Sequence, residues 1–176
     1  MRLLALDQSL NETGYWITSD KDMHGVIKSK LKGVTERIVN IREKIKNMIS
    51  LYSIDTIVME DYSYMSSGRF TFTAGEVGGA IKLLCFDNKI KLMIVPPSLL
   101  KKFICNKGQA KKEQMLLQLY KKYGKEFNNN NIADAFGLFK FYETYQKWLI
   151  QGEMEDGFTK NDVECFKKLH SLTTKE

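Results

Sequence analysis

Short apolar runs alternate along the chain with longer segments in which apolar residues recur at helical spacing. Five of the runs stop at polar or turn-forming residues, and four of these five contain β-branched residues, which is typical of strands. They cover residues 2–7, 14–18, 23–29, 55–59 and 91–95. The first three follow one another closely and predict an antiparallel meander. The unbroken run at 55–59 predicts a strand that is buried on both faces.

The longer segments predict helices. Apolar residues within 34–52 recur every three or four positions, which indicates a long amphipathic helix. The same reasoning predicts helices at residues 73–88, 98–105, 110–123 and 131–150, and a further amphipathic stretch at 159–172. The asparagine run at 128–131 predicts a loop and a helix N-cap. Strands separated by helices, after an antiparallel start, predict a three-layer α/β fold in which helices flank a mixed sheet.

The size and composition of the chain predict one intracellular domain. A length of 176 residues suits a single hydrophobic core, and a hydrophobic fraction of 43% with a mean hydropathy of −0.32 is typical of a soluble protein. No apolar run approaches the roughly 18 residues of a membrane span. The N-terminus enters a strand pattern directly, without the features of a signal peptide.

Cysteine and histidine offer few candidates for chemistry. The three cysteines, Cys85, Cys105 and Cys165, are widely spaced and lack the close pairs of a zinc ribbon or a redox motif. The two histidines, His24 and His170, are isolated from other ligand types, so zinc hydrolysis and histidine-based triads are disfavoured. Carboxylates remain as the main candidates.

The positive charge is concentrated in one part of the chain. The protein has a formal net charge of +6, and the segment 88–125 contains ten lysines against the single acid Glu113. A surplus of this kind indicates a polyanionic partner. Lysines also solvate exposed helix faces, so both explanations stay open for each of them.

Three acids occupy positions at which a catalytic site could form. Asp7 closes the first predicted strand, and the pair Glu60 and Asp61 closes the central one. Asp134 lies in the first turn of an otherwise apolar helix that has no basic residue before Lys140. Chemistry in open α/β sheets gathers at the carboxyl ends of strands, so these acids could converge. Carboxylates that close together repel one another, and Mg²⁺, which prefers oxygen ligands, would resolve the conflict.

Each acid also has a purely structural explanation. Asp7 could be a turn residue, Glu60 a solvated strand end and Asp134 a cap for amides in the first helical turn. Asn131 precedes Asp134 by three residues and therefore shares its helix face. Only the combination of these residues favours a site for two divalent ions, of the kind that hydrolyses phosphodiesters.

Five stretches of the chain carry a resemblance to a known family. They are LALDQSLNETGYWI, TIVMED, TAGEVGGAIKLL, VPPSLLKKFICNKGQAKKEQ and NIADAFGL. In order and spacing they resemble RuvC-like Holliday junction resolvases of the RNase H-like superfamily, most of all the short phage-type members. The resemblance covers residues 1–142 and rests on the five stretches together, because none of them is decisive alone.

The resemblance implies an RNase H-like fold with a mixed five-stranded sheet, a homodimer, and nicking of paired strands at a four-way DNA junction. The cofactor would be Mg²⁺, two ions per site, with Mn²⁺ as a substitute. The metal ligands fall on Asp7, Glu60 and Asp134. Where the family has an acid or a histidine one turn earlier, this chain has Asn131, so we expect weaker binding of the second ion. The glycine-bearing helix at 74–84 is similar to the family's dimer helix, but it could equally pack on its own sheet.

The resemblance also implies DNA contacts. Either Lys101 or Lys102, together with Lys112, falls near lysines that the family uses against the scissile phosphate, so Lys112 joins the expected catalytic residues. Tyr62 and Tyr64 bracket the place of an aromatic that engages unstacked bases, although these aromatics could instead pack on the domain. The expected DNA-binding residues are Lys101, Lys102, Lys107, Lys111, Lys112, Tyr62, Tyr64 and Arg69.

The sequence therefore predicts a nuclease domain at residues 1–150, with residues 151–176 as a helical extension of the same domain. It would work on branched DNA in the cytoplasm, that of the host if a phage encodes it, without a membrane or a nucleotide cofactor. Three alternatives stay open: an RNase H-like nuclease of flaps, forks or RNA hybrids, an ATP-binding protein of the actin and sugar-kinase type, and a DNA-binding protein without catalysis. The ATP-binding class requires a second glycine-rich phosphate segment, which the sequence lacks.

Overall fold

The computed structural model describes residues 2–18, 22–61, 69–151 and 157–173. The strands in these ranges are β1 (Leu3–Asp7), β2 (Thr13–Ile17), β3 (Met23–Ile27), β4 (Thr56–Glu60) and β5 (Lys91–Val95). The helices are α1 (Val34–Tyr52), α2 (Arg69–Asp87), α3 (Pro97–Cys105), α4 (Lys112–Tyr123), α5 (Asn130–Gln151) and α6 (Lys160–Thr173).

All of the strands belong to one mixed sheet with the order β3-β2-β1-β4-β5. Strands β1, β2 and β3 pair antiparallel, whereas β1, β4 and β5 pair parallel. The predicted meander and the predicted mixed sheet are therefore confirmed. Strands β1 and β4 lie at the centre, and each is buried along its length except for its last residue.

Alternate residues of the central strands serve two separate cores. Leu3 and Ala5 of β1 and Val58 of β4 face the layer that contains α3, α4, α5 and α6. Leu4 and Leu6 face the layer of α1 and α2 on the other side of the sheet. Continuing this alternation, Asp7 and Glu60 lie on the α5 side.

The α5 side of the sheet is rich in aromatic residues. Phe136 and Phe141 of α5 are almost fully buried, and Phe103 of α3 stacks edge-on against Phe141 at 5.0 Å between ring centroids. Helix α6 adds Phe166, whose ring lies 5.6 Å from that of Phe141. Helix α6 is thus part of this core, although the division of the chain at residue 150 stays a prediction.

Three element boundaries differ by two or more residues from those predicted. Strand β3 ends at Ile27, two residues early, and α2 begins at Arg69 although its aromatic and β-branched start has low helix propensity. Helix α4 begins at Lys112 because the Ala110 N–H donates to the carbonyl of Lys107 in a turn, at 3.3 Å. Lys111 is then extended and its N–H donates to Gln114 Oε1 at 3.0 Å, which caps the helix.

None of the helices in the described ranges is both long and apolar enough to cross a lipid bilayer. The cysteines are free thiols, with Cys85 and Cys165 buried and Cys105 partly buried.

Candidate active site

Asp7 and Glu60 are the last residues of two adjacent parallel strands. In the register of β1 and β4, Leu6 lies opposite Met59, so the two acids that follow are neighbours at the carboxyl edge of the sheet. Both side chains are partly buried. Ligands of open α/β sheets bind at the carboxyl ends of the strands, which is the edge where Asp7 and Glu60 lie.

Asp134 approaches the same edge from the first turns of α5, which packs across β1, β2 and β4. Its negative charge acts on both strand-end acids, which shows that the three carboxyl groups lie close together. The sequence prediction that these acids converge is met by their positions. Whether they bind metal is a separate question.

Burial and mutual repulsion disfavour the ionised forms of the three acids. Burial raises the pKa of Asp7 to about 7; the charge of Asp134 adds to this rise, and Lys112 opposes it. Burial, and after it the charges of Asp7 and Asp134, together raise the pKa of Glu60 to about 8. Burial also raises the pKa of Asp134, against the opposing charges of Lys112 and Lys101. A cation placed among these groups would remove most of the penalty.

Lys101 and Lys112 supply the positive charge that the local sequence around Asp134 lacks. Lys101 comes from α3, and Lys112 is the first residue of α4. Both act on Glu60 as well as on Asp134. The site is thus a group of three acids bordered by two lysines.

The donor set fits a hard divalent cation, because it consists of carboxylate oxygens. Gln8, directly after Asp7, adds a further oxygen: its Nε2 donates to the backbone carbonyl of Glu60, while its buried Oε1 has no hydrogen-bond partner among the residues that the structure describes. Among the described residues, no three histidine, cysteine or acidic side chains surround a common point closely enough to hold an ion as they stand.

A family model named "Crossover junction endodeoxyribonuclease RuvC" matches residues 3–139, a span that contains Asp7, Glu60 and Asp134. The chain belongs to the RuvC family. The predicted family and class of enzyme, a metal-dependent endodeoxyribonuclease, are therefore confirmed, and the choice between a nuclease and an ATP-binding protein is decided. Membership implies dependence on a divalent metal ion.

Individual relatives agree with the family match. The chain is 29% identical over 145 residues to the crossover junction endodeoxyribonuclease RuvC of Ehrlichia canis. The alignment covers 78% of this chain and 93% of the relative. The chain is 27% identical over 123 residues to the crossover junction endodeoxyribonuclease RuvC of Caldicellulosiruptor saccharolyticus. That alignment covers 65% of this chain and 74% of the relative.

Solved structures confirm the RNase H-like fold. Thermus thermophilus RuvC superposes with a TM-score of 0.67 at 17% identity, covering 86% of this chain and 97% of that one. The same protein in complex with a Holliday junction substrate gives a TM-score of 0.65 at 18% identity, with coverage of 78% and 90%. The yeast mitochondrial Holliday junction resolvase Ydc2 gives 0.51 at 15% identity, with coverage of 96% and 75%.

Asn131, which the resemblance places where the family has an acid or a histidine, is held by the turn between β1 and β2. Its Nδ2 donates to the backbone carbonyl of Glu12 at 3.0 Å. Asn129 caps α5, since its Oδ1 accepts the N–H groups of Asn131 at 2.9 Å and Ile132 at 3.1 Å. The N-cap predicted for the asparagine run is confirmed.

The residues predicted to bind DNA divide into three groups. Lys107, Lys111 and Lys112 are exposed around the turn between α3 and α4. Lys102 instead pairs with Glu164 of α6, with Nζ 2.7 Å from Oε2, whereas Lys101 acts on the acids. The rest fall at the edge of the described structure: Tyr62 and Tyr64 lie outside the described residues, and Arg69 is described only as the first residue of α2.

Three polar residues next to the site were not predicted from the sequence. Gln8 and Glu12 both lie in the turn that follows Asp7, and Asn129 precedes α5. The turn sequence QSLNE is short and strongly polar, which is a signal of a connection that carries function. What the sequence does not show is that the turn meets the start of α5.

Proposed function

We propose that this protein is a homodimeric nuclease that cuts paired strands of four-way DNA junctions and other branched DNA, with two Mg²⁺ ions at each site. The observation that supports the proposal most strongly is the convergence of Asp7, Glu60 and Asp134, bordered by Lys101 and Lys112, in a chain of the RuvC family. We place its work in the cytoplasm, that of the host if a phage encodes it.

Each acid has an expected role at the site. Asp7 would bind both ions, and Glu60 and Asp134 would each bind one of them or share them. Asn131 would complete the set with a neutral oxygen. Bound divalent ions would supply an activated water and stabilise the leaving oxygen of the cleaved phosphodiester. The raised pKa values mean that the ionised acids are unfavourable without a cation, and an ion bound among them would stabilise their ionised forms.

The two lysines would hold the DNA backbone against the acids. Lys112 is exposed at the start of α4, and Lys101 is partly buried in α3. A lysine ammonium is a compact charge that can contact a phosphate oxygen and stabilise developing negative charge. The exposed Lys107 and Lys111 would extend this contact along the strand, so affinity should fall as salt rises.

The first test is cleavage of an end-labelled synthetic four-way junction and of its linear duplex control. Wild type with Mg²⁺ or Mn²⁺ should make paired symmetric nicks in the junction alone, and EDTA should prevent them. Asp134→Asn should reduce the rate by at least about 1000-fold, because it removes a charged ligand from the site. Junction binding without metal should persist in the variant.

The other outcomes distinguish this proposal from its alternatives. Equal cutting of linear DNA, or preference for a fork, a flap or an RNA hybrid, would indicate a different RNase H-like nuclease. A junction that is bound but never cut under any metal would leave a DNA-binding protein without catalysis. Retained turnover in Asp134→Asn would remove that residue from the site.

A stripe on α2 supports the homodimer. Phe72, Gly75, Gly79, Leu83 and Phe86 recur every three or four residues and therefore share one helix face. Phe72 is 76% exposed, Leu83 64% and Phe86 83%, and a Cβ added at either glycine would meet nothing within 4 Å. The opposite face of α2 packs in the core through Val77 and Ile81. Large exposed apolar side chains around small residues suit the approach of a second helix.

The stripe gives a direct test of the dimer. Phe86→Glu should shift the protein from dimer to monomer in light scattering coupled to size exclusion, because a charge replaces an apolar side chain at the contact. Leu51→Glu is the matched control, since Leu51 is 73% exposed on α1, away from the stripe. A monomeric wild type, or a dimer that survives Phe86→Glu, would contradict this assignment.

A further inference from the structure

A network of hydrogen bonds joins the turn after Asp7 to the start of α5, beside the acids but not among them. Its centre is Glu12. The Glu12 carboxylate accepts a hydrogen bond from Asn129 Nδ2 through Oε1 and pairs with Lys28 through Oε2, 2.7 Å from Nζ. The turn and the helix are far apart in sequence, so these contacts fix one relative to the other.

Asn129 links Glu12 to the backbone of α5. Its Nδ2 donates to Glu12, and its Oδ1 accepts the first free N–H groups of the helix, those of Asn131 and Ile132. Both ends of the amide are therefore used. A change at Glu12 would release one end of Asn129 and loosen the cap at the other.

The Glu12 backbone carbonyl sets the orientation of the Asn131 side chain. It accepts from Asn131 Nδ2 at 3.0 Å and from Ser9 Oγ at 2.9 Å. Because the amide nitrogen of Asn131 is held by this bond, its Oδ1 is the atom left to accept other contacts. A neutral amide can turn either its nitrogen or its oxygen towards a cation, and only the oxygen can bind one. The hydrogen bond to the Glu12 carbonyl therefore selects the orientation in which Asn131 Oδ1 is available to an ion.

The helix start also lies directly against β2. A Cβ added at Gly14 would stand 2.1 Å from the Asn131 carbonyl oxygen, so no larger residue fits there without a shift of the backbone. The first turn of α5 is thus held by packing on one side and by the Glu12 network on the other. Asp134, one turn further along, takes its position from the same turn.

We infer that Glu12 is a positioning residue of the nuclease site, which acts through Asn129 to hold the first turn of α5 and thereby the Asn131 amide and the Asp134 carboxylate. The inference rests on the proposed function, since it assumes that these groups bind the ion. Partners of metal ligands typically change metal affinity by 10–100-fold when they are removed. Glu12 touches neither substrate nor ion and is not a catalytic residue.

The test measures ion affinity directly, by calorimetric titration of the DNA-free protein with Mn²⁺. Glu12→Ala should weaken binding by about 10-fold. Asn129→Asp keeps an oxygen to cap α5 but cannot donate to Glu12, so it should weaken binding in the same way. The double variant should lose little more than either single variant, because both remove one contact.

Two controls separate the hydrogen bond from charge. Glu12→Gln keeps an acceptor for Asn129 and loses the ion pair with Lys28, which is exposed, so its affinity should stay within about 3-fold of wild type. Glu143→Ala removes an acid that pairs with Lys140 at 2.8 Å, further along α5, and should leave affinity unchanged. Thermal melting shows whether each variant is folded.

The Mg²⁺ concentration for half-maximal junction cleavage gives a second measure and should rise in Glu12→Ala and not in Glu12→Gln. Wild-type ion affinity in Glu12→Ala would overturn the inference, and so would equal losses in Glu12→Gln. If wild type binds Mn²⁺ but cuts no DNA, the proposed function fails while the affinity comparison still decides the role of Glu12. If wild type binds no divalent ion, both are overturned.

Discussion

The two faces of the central sheet use the same strands for different purposes. On one face, Leu4 and Leu6 of β1 pack against α1 and α2 in a hydrophobic core. On the other face, Leu3 and Ala5 begin a core in the same way, but the next residue in the alternation is Asp7. The α5 face therefore ends in carboxyl groups where the α1 face ends in Leu6.

At the end of the α5 face the protein gives up stability for chemistry. The acids on the α5 face are held close together and partly buried, which raises their pKa values and disfavours their ionised forms. The α1 face has no such conflict. Substitutions in the α1 core and at the acids should therefore have opposite effects on stability.

The largest effect on stability is expected on the α1 face. Ile45 of α1 is fully buried, so Ile45→Ala should lower the free energy of unfolding by about 3 kcal/mol and the melting temperature by roughly 6–12 °C. The rate of junction cleavage per folded molecule should stay within about 2-fold of wild type, because the acids lie beyond the sheet. Thermal melting and single-turnover cleavage below the transition measure both.

Val39→Ala is the control for this prediction. Val39 is 49% exposed on the same helix, and its truncation should change the unfolding free energy by less than about 0.5 kcal/mol. A loss of cleavage in Ile45→Ala that exceeds its loss of folded protein would mean that the two faces are coupled.

The sequence predicted the α1 face more completely than the site. Apolar periodicity in residues 34–52 gave α1 with the observed bounds, because burial of one face is recorded in every third or fourth residue. The acids were also found, since strand ends and a lone aspartate in an apolar helix are local signals. Lys112 was assigned to the catalytic residues through the family resemblance alone, and Lys101 could not be distinguished from Lys102, because α3 and α4 bring Lys101 and Lys112 to Asp134 through tertiary structure.

A second effect, of opposite sign, is expected on the α5 face. Asp7 has a pKa of about 7 in the folded protein against an ordinary value of 3.8. The folded state therefore holds the proton more tightly than the unfolded state, and stability falls as pH rises from about 4 to about 7. Above that window the full penalty is present. Asp7→Asn removes it and should stabilise the metal-free protein at pH 8 by about 1–3 kcal/mol.

The gain should shrink as pH falls through the window and become small near pH 4, where Asp7 is protonated in the folded state and about half protonated in the unfolded state. Melting curves in EDTA at pH 4, 6 and 8 measure it. Asp87→Asn, at the exposed end of α2, is the control for loss of one negative charge and should give no gain. A gain at pH 8 that persists at pH 4 would show that repulsion and burial of the ionised acid are not its cause.

The smallest expected effect is a difference in cleavage rate between variants of two adjacent lysines of α3, Lys101 and Lys102, which the sequence could not distinguish. Lys101 acts on Glu60 and Asp134, whereas the Lys102 ammonium pairs with Glu164 of α6 at 2.7 Å and its backbone carbonyl accepts from Asn161 at 3.0 Å. Lys101→Ala should lower the single-turnover rate of junction cleavage by about 10-fold, since it removes a charge beside the acids.

Lys102→Ala should change the same rate by less than about 3-fold, because its exposed ion pair is screened and contributes little. Glu164→Ala sharpens the comparison by freeing Lys102 without moving it into the site. If Lys102 contacts DNA once it is free, this variant will bind the junction more tightly than wild type, and its advantage in affinity will be larger at low salt than at high salt. Equal losses of rate in the two lysine variants would contradict the division of α3 into one lysine for the site and one for α6.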